Sequence, residues 1–348
     1  MIGRMLAIGM VLAVVAAAPS YAQAIVPSSV YTRPQRLVPI DGERRLNLYC
    51  IGAGSPTVLL EAGAGNSMMT WRLVQAEIGH FTRVCAYDRA GLGFSDAATR
   101  PSNDANMADD LHRLLKAAHI ATPIVFVGHS LGGQVGLSFA ARYPAEIAGA
   151  VLVDPGFPGM LRVLQAALPP GDRTALLDGF RKMLDANRAC LALAQQRALL
   201  HPVTNAAKDC VDPDKSPGRL DDTLRKETTR ELAMPHVWRA MISEAESFVP
   251  QGSQASPGVA KLDTANLSFG NKPLIVLTRG NQEGAPGVPP NAAAAMEAAW
   301  KAAHDRLAAL SERGVSVVVP HTGHYIQIDQ PEAVIDAIRR VVADLRNG

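Results

Sequence analysis

Gly128-His129-Ser130-Leu131-Gly132 follows the apolar run Ile124-Val125-Phe126-Val127 and precedes Gly133-Gln134-Val135-Gly136-Leu137-Ser138-Phe139-Ala140-Ala141-Arg142. The first run reads as a buried strand, and the second as a helix stopped at Tyr143-Pro144. A G-x-S-x-G segment between a strand and a helix makes a turn so tight that only small residues fit two positions either side of the serine. The serine is held in a strained backbone, and the strain lifts its hydroxyl clear of the sheet, where a substrate can reach it. The stretch predicts a strand–turn–helix unit with Ser130 as a candidate nucleophile.

The flanking sequence extends the same alternation. Residues 25–36 read as an extended leader. Residues 45–50, with Leu46, Leu48 and Cys50 alternating, read as a strand, as do 57–61 and 83–87. Residues 105–119 have helical spacing, with Leu111, Leu114 and Leu115 on one face. Residues 147–153 form another apolar strand that ends at Asp154-Pro155-Gly156. From 157 to 270 the pattern is helical, with long helices expected at 173–200 and 220–248 and a polar loop at 202–218 carrying Cys210. Strands return at 273–278 and 315–319, separated by a helix at 291–313. A closing helix at 331–345 opens on Pro331, a residue suited to the first helical position. Alternating strands and helices predict a mostly parallel sheet with helices on both faces. The helical block is then an insertion after the 147–153 strand.

Composition narrows the function classes. The chain has 348 residues, 48% of them hydrophobic, and a formal net charge of +2, which fits one large α/β domain or one domain with an insertion. Charged residues make up 19% and are balanced in sign, and no basic stripe is present, which argues against nucleic acid or an anionic membrane as a partner. Arg4, the apolar stretch 5–18, Pro19-Ser20 and the small-residue site Ala22-Gln23-Ala24 read as a signal peptide over residues 1–24, cleaved after Ala24. No later segment reads as a membrane span. The mature chain is therefore expected to be secreted or periplasmic. Its four cysteines, Cys50, Cys85, Cys190 and Cys210, suggest two disulfides in an exported protein. Of the three possible pairings, Cys50–Cys85 with Cys190–Cys210 keeps each pair within one structural region. Their spacing does not suit a metal site.

The order of these features resembles the α/β-hydrolase superfamily over nearly all of the mature chain. Three separated segments carry the resemblance: the elbow at 128–132, Tyr87-Asp88-Arg89-Ala90-Gly91-Leu92-Gly93-Phe94-Ser95, which is similar to the family's loop after the fourth strand, and Thr322-Gly323-His324-Tyr325 followed by Gln330-Pro331-Glu332, which is similar to its histidine loop and final helix. The resemblance implies an α/β-hydrolase core in two parts, residues 25–156 and 271–348. Residues 157–270 then form a helical cap inserted after the sixth strand. It implies Ser130 as nucleophile and His324 as base, with His321 the nearest rival and His129 without a proton-transfer role. Asp154 is the favoured acid and Glu283, in Arg279-Gly280-Asn281-Gln282-Glu283, the alternative. The implied oxyanion donors are the N–H of Leu131 and, in Glu61-Ala62-Gly63-Ala64-Gly65-Asn66, that of Ala64 with Gly65 as alternative. Many relatives have His-Gly where this chain has Ala62-Gly63.

Asp88, Arg89 and Ser95 are expected to be structural, with a buried Asp88–Arg89 pair holding loops near the site. Trp71, Phe157, Trp238, Met241 and Phe248 are candidates for an apolar pocket under the cap, with helix packing the alternative for each. No metal or organic cofactor is implied. The expected activity is hydrolysis of a carboxylic ester of modest size, the substrate being a small molecule. An amidase, peptidase, lactonase or acyltransferase would use the same residues, and a non-catalytic ligand-binding protein on this fold is the alternative from another class.

Overall fold

The computed structural model describes residues 24–249, 267–281, 283–284 and 287–348. Residues 1–23 of the expected signal peptide, and 250–266 of the expected cap, lie outside the described residues. In chain order the elements are β1 (Arg36–Asp41), β2 (Arg44–Ile51), β3 (Val58–Glu61), α1 (Arg72–Gly79), β4 (Val84–Tyr87), α2 (Asp104–Ala117), β5 (Ile124–His129), α3 (Leu131–Arg142) and β6 (Ile147–Val153). The crossover that follows holds α4 (Met160–Ala167), α5 (Arg173–Gln195), α6 (Asn205–Cys210), α7 (Asp222–Leu232) and α8 (Pro235–Phe248). The chain then returns through β7 (Leu274–Arg279), α9 (Pro290–Ala308), β8 (Gly314–Val319), α10 (Ile326–Asp329) and α11 (Pro331–Asn347).

The strands form one eight-stranded sheet in the order β1-β2-β4-β3-β5-β6-β7-β8. The β1–β2 and β2–β4 pairs are antiparallel and the remaining pairs parallel. Two-residue periodicity in strands buried on both faces explains two cores. Ile124 and Phe126 of β5, Ala150 and Leu152 of β6, and Leu274 and Val276 of β7 face one core, against α2, α3 and α9. Val125, Val127, Val151, Val153, Ile275 and Leu277 face the other, against α1 and α11. The order of strands reverses between β3 and β5, and such a switch point opens a crevice at the carboxyl ends of the strands.

Three local expectations are corrected, and one strand, β1, was not read from the sequence. The leader at 25–36 contains a 3-10 turn, Ser28–Thr32, and runs into β1. Pro39 argues against a strand, but β1 is an edge strand, where a missing N–H is tolerated, and Val38 and Ile40 are buried. The helix expected at 220–248 is two helices, because Pro235 cannot donate a helical hydrogen bond and holds Met234 in an extended conformation. The polar loop at 202–218 contains α6, capped by the Thr204 side chain on Ala207 N–H. Six residues are too few to show a period, and α6 is held instead by burial of Ala207 and by the Cys190–Cys210 disulfide.

The second disulfide joins Cys50 and Cys85, direct register partners across the antiparallel β2–β4 pair with Cα atoms 4.0 Å apart. Among the described residues, no helix is long and apolar enough to cross a membrane.

Phe126 is fully buried beneath the elbow, stacked near Phe139 at 6.3 Å between ring centroids. Its ring stands 2.7 Å from where a Cβ on Gly128 would lie. Phe126→Ala is expected to lower unfolding stability by about 3–5 kcal/mol, the usual cost of emptying an aromatic core site. Urea titration measures this, and a loss below about 1 kcal/mol would mean that the ring does not support the elbow.

Candidate active site

Ser130 joins β5 to α3 with φ 51° and ψ −121°, in the left-handed half of backbone space that L-residues avoid. The neighbours make the strain unavoidable. A Cβ on Gly128 would lie 2.5 Å from the Gly132 carbonyl oxygen, and one on Gly132 would lie 2.5 Å from that of Glu61. Backbone hydrogen bonds then lock the turn: Ser130 N–H donates to Val153 O at 3.1 Å, and Ser130 O accepts from Gly133 and Gly156 N–H at 2.8 Å each.

His324 stands in the loop after β8 and brings its ring to Ser130. Its Nε2 lies 2.9 Å from Ser130 Oγ, and its Nδ1 lies 2.5 Å from Asp154 Oδ2. A carboxylate only accepts, so Nδ1 carries the hydrogen and Nε2 of the neutral ring is free to accept from the hydroxyl. Asp154, also at positive φ (41°), is fully buried at the end of β6. Its carboxylate accepts from Trp300 Nε1 at 2.8 Å, Arg279 Nη1 at 2.7 Å and Arg279 N–H at 3.2 Å. Burial works to raise the pKa of this carboxyl. The hydrogen bond and charge of His324, with the charges of Arg279 and His304, outweigh burial and hold it well below the usual carboxylate range.

The alternative acid takes a different place. Glu283 Oε1 accepts the main-chain N–H of His324 at 3.0 Å. Asp329 accepts the neighbouring Gly323 N–H at 2.7 Å, and His129 Nε2–H donates to the His324 carbonyl at 2.9 Å. Both peptide groups of His324 are thus held, and Glu283 and His129 act on its backbone. His321 is exposed, whereas His129 is fully buried.

At the second loop, Gly63 lies close enough to Ser130 that a Cβ on it would stand 3.2 Å from the Ser130 Cβ. Leu131 is the first residue of α3, so its N–H has no partner within the helix. Gly65 N–H is committed to Glu244 Oε2 at 2.7 Å, which leaves Ala64 as the available donor of the two considered. The expected Asp88–Arg89 pair does not form. Asp88 accepts from Asn47 Nδ2 and Met68 N–H at 2.8 Å, whereas Arg89 pairs with Glu61 at 2.8 Å and Glu244 at 2.7 Å. Ser95 supports the same loop, donating to Asp88 O at 2.6 Å.

The five apolar candidates do not share one pocket wall. Trp71 is buried in the α1–α11 core, Phe157 packs on Trp300, Trp238 belongs to a cluster around α6, and Phe248 packs on Phe180. Met241 lies against Gly65, beside the loop that follows β3.

Arg279, Trp300, His304 and Glu244 were not anticipated from sequence. Trp300 and His304 left a usable signal, since two polar-tipped residues four apart interrupt the buried stripe Ala292, Met296, Ala303, Leu307 of α9. His304 Nε2–H donates to Pro155 O at 2.9 Å, and its Nδ1 accepts from Thr278 Oγ1 at 2.8 Å.

Burial lowers the pKa of His304 to about 4 and that of His129 to about 3. Unfolding raises both towards the ordinary value near 6.5, so below that pH the unfolded chain binds two protons that the folded chain refuses. Each ring therefore costs about 1.4 kcal/mol of stability per pH unit as pH drops from about 6.5 to 4.5, whereas the buried carboxyls of Glu231 and Asp104, raised by burial to about 7 and 6, act in the opposite direction over that range. Urea unfolding of the parent and of His304→Gln at pH 7, 6 and 5 isolates one ring: the variant is expected to gain stability relative to the parent as pH falls, by about 1.4 kcal/mol per pH unit below 6.5, and a difference independent of pH would contradict it.

A family model described as "Alpha/beta hydrolase family" matches residues 58–337. Protein YqjL of Bacillus subtilis is 35% identical over 104 residues, 30% of this chain and 41% of that protein. RutD of Yersinia enterocolitica, provisionally named a carbamate hydrolase, is 43% identical over 98 residues, 27% of this chain and 34% of that protein. The matched region thus spans less than half the length of these relatives. Among solved structures, an esterase from Thermogutta terrifontis superimposes with a TM-score of 0.51 at 22% identity, covering 87% of this chain and 94% of the esterase. A mutant of DBJA gives a TM-score of 0.65 at 17% identity, covering 90% and 99%. At such identities the likeness is one of fold. The parallel sheet, the elbow and the match over residues 58–337 together make this chain a member of the alpha/beta hydrolase family.

Proposed function

We propose that the protein is an exported serine hydrolase that cleaves a carboxylic ester of modest size through an acyl-enzyme on Ser130. The hydrogen-bonded series from Ser130 through His324 to Asp154, with contacts of 2.9 and 2.5 Å, carries this reading. Ser130 Oγ attacks the acyl carbonyl as its proton passes to His324 Nε2. The buried Asp154 carboxylate stabilises the imidazolium and keeps its Nδ1–H in place. Negative charge developing on the carbonyl oxygen is met by the N–H groups of Leu131 and Ala64. His324 then gives its proton to the departing alcohol, and water, deprotonated by His324, attacks the acyl-enzyme. In this reading Glu283 positions the histidine loop and takes no part in proton transfer. The helices between β6 and β7, within 157–270, serve as the cap. Two disulfides and the signal-like sequence at 1–24 support export.

A carbamate or amide substrate is the second reading, favoured by the 43% identity to RutD over 98 residues. It uses the same residues and differs in the leaving group, so turnover of matched p-nitrophenyl esters and p-nitroanilides separates the two.

Ser130→Ala is expected to lower ester turnover by about 10⁴-fold or more. Retained hydrolysis in a folded variant would remove Ser130 as the nucleophile. Asp154→Asn is expected to lower kcat by about 10⁴-fold through the wrong imidazole tautomer. Glu283→Gln should cost no more than about 10²-fold, the scale of a misplaced catalytic group. Steady-state kinetics on both variants decide, and the reverse ranking would move the acid to the loop after β7.

A further inference from the structure

Arg89 is a buried guanidinium with five hydrogen bonds, which tie together the end of β3, the loop that follows it and α8. Its Nη1 donates to Ala62 O at 2.6 Å and Glu61 Oε1 at 2.8 Å, and its Nη2 donates to Gly63 O at 2.6 Å. Its Nε and Nη2 donate to the Glu244 carboxylate at 2.7 and 3.1 Å. Glu61 is held in turn by Tyr87 OH. Glu244 is also fully buried, and its Oε2 accepts the Gly65 N–H at 2.7 Å.

The covalent geometry of the peptide gives these contacts a shared consequence. Gly63 C=O and Ala64 N–H belong to one planar trans peptide, so they point in opposite directions. Anchoring Gly63 O to Arg89 turns the Ala64 N–H away from the guanidinium. A cation on the carbonyl also polarises the peptide and makes that N–H a stronger donor. The next peptide is fixed at both ends, because Ala64 O accepts from Asn66 Nδ2 at 2.9 Å and Gly65 N–H is taken by Glu244. Both peptides that contain Ala64 atoms are therefore immobilised, one by Arg89 at 2.6 Å with the Asn66 N–H at 3.2 Å on the same Gly63 carbonyl, and one by Glu244 and the Asn66 side chain.

Glu244 does not belong to the sheet or its loops. It lies on α8, the last described helix of the crossover between β6 and β7. That helix sits directly on two glycines of the core. A Cβ on Gly91 would lie 2.8 Å from Ala240 Cβ, and one on Gly65 would lie 3.2 Å from Met241 Cε. Val237 and Ala240 pack with Leu92. Residues 237, 240, 241 and 244 thus share the helix face that meets the core.

We propose that Glu244 and Arg89 are positioning residues that couple α8 to the oxyanion donor, so that the Ala64 N–H is aimed only while α8 is seated on the loop after β3. The proposal rests on the reading of Ser130 as nucleophile. It assigns to a crossover helix a part in transition-state binding rather than in substrate capture alone. A donor misaimed when Glu244 is lost weakens the oxyanion contact and leaves ground-state binding of the ester largely as it was.

The test is steady-state hydrolysis of a p-nitrophenyl ester by Glu244→Ala, Glu244→Gln and Ser130→Ala, with thermal unfolding of each. Inhibition by a trifluoromethyl ketone is measured alongside: its carbonyl carbon bonds to Ser130 Oγ, its oxygen becomes the oxyanion, and the serine proton goes to His324. Glu244→Ala is expected to lower kcat by about 10–100-fold with KM within about 3-fold, short of the loss from deleting a donor outright. The ketone should bind more weakly by a similar factor. Glu244→Gln keeps one acceptor and the side-chain volume, so it should fold and lose about 10-fold in kcat with the same split; it decides the matter if the alanine variant unfolds. A folded variant with kcat within about 2-fold of the parent, or a loss confined to KM, would overturn the proposal. Ester turnover surviving in Ser130→Ala would overturn the nucleophile assignment beneath it instead, so the two failures are read on different variants.

Discussion

Gly132 stands so near the end of β3 that a Cβ on it would sit 2.5 Å from the Glu61 carbonyl oxygen and 2.7 Å from that of Ala62. This contact between the start of α3 and the β3 loop fixes the distance between the two halves of the site. It forces the chain from β5 into α3 with no room for a regular turn, and Ser130 takes a positive φ as a result. It also brings the Leu131 N–H and the loop carrying Ala64 to the same side of the sheet. The ends of β6 and β8 then supply Asp154 and His324 without further distortion of the strands, because parallel strands deliver all their carboxyl ends to one edge.

Two buried charges of opposite sign frame this site. Asp154 is satisfied by His324, Arg279 and Trp300, and Arg89 by Glu61, Glu244 and two carbonyls. Buried ions of this kind contribute little net stability, and removing one partner of such a pair costs about 3–5 kcal/mol because the other is left uncompensated. Their value lies in geometry. Each holds a main-chain or side-chain group whose direction matters: the imidazole in the first case, the peptide between Gly63 and Ala64 in the second. The His324 backbone is fixed in the same manner, by Glu283 on its N–H and His129 on its carbonyl.

The sheet and its central residues were legible because their signals are local. Strands buried on both faces are apolar runs, and an elbow needs glycine two positions before and after its serine. Ser130 and Asp154 directly follow strands that could be read in the sequence, His324 stands in the loop after another, and the structure brings the three together. What was missed depends on contacts distant in sequence. Glu244 lies 155 residues from Arg89, and an acidic residue late in an amphipathic helix gives no sign that its partner is a buried guanidinium. Asp88 and Arg89 looked like a pair because they are adjacent, yet Asp88 is taken by Asn47 and Met68 and Arg89 by Glu61 and Glu244. Glu283 occupies the place of an acid in the sequence, but its oxygen reaches the backbone of His324 rather than the ring. β1 and α6 were hidden by composition, the one by Pro39 and the other by its six-residue length.

The central claim is that Ser130 is an activated nucleophile. The most direct measurement is mass spectrometry of the folded protein after reaction with a fluorophosphonate, followed by peptide mapping. The account predicts one adduct, on the peptide containing Ser130, formed rapidly in the parent and far more slowly in Asp154→Asn. A folded protein that takes up no label, or takes it on another residue, would contradict it.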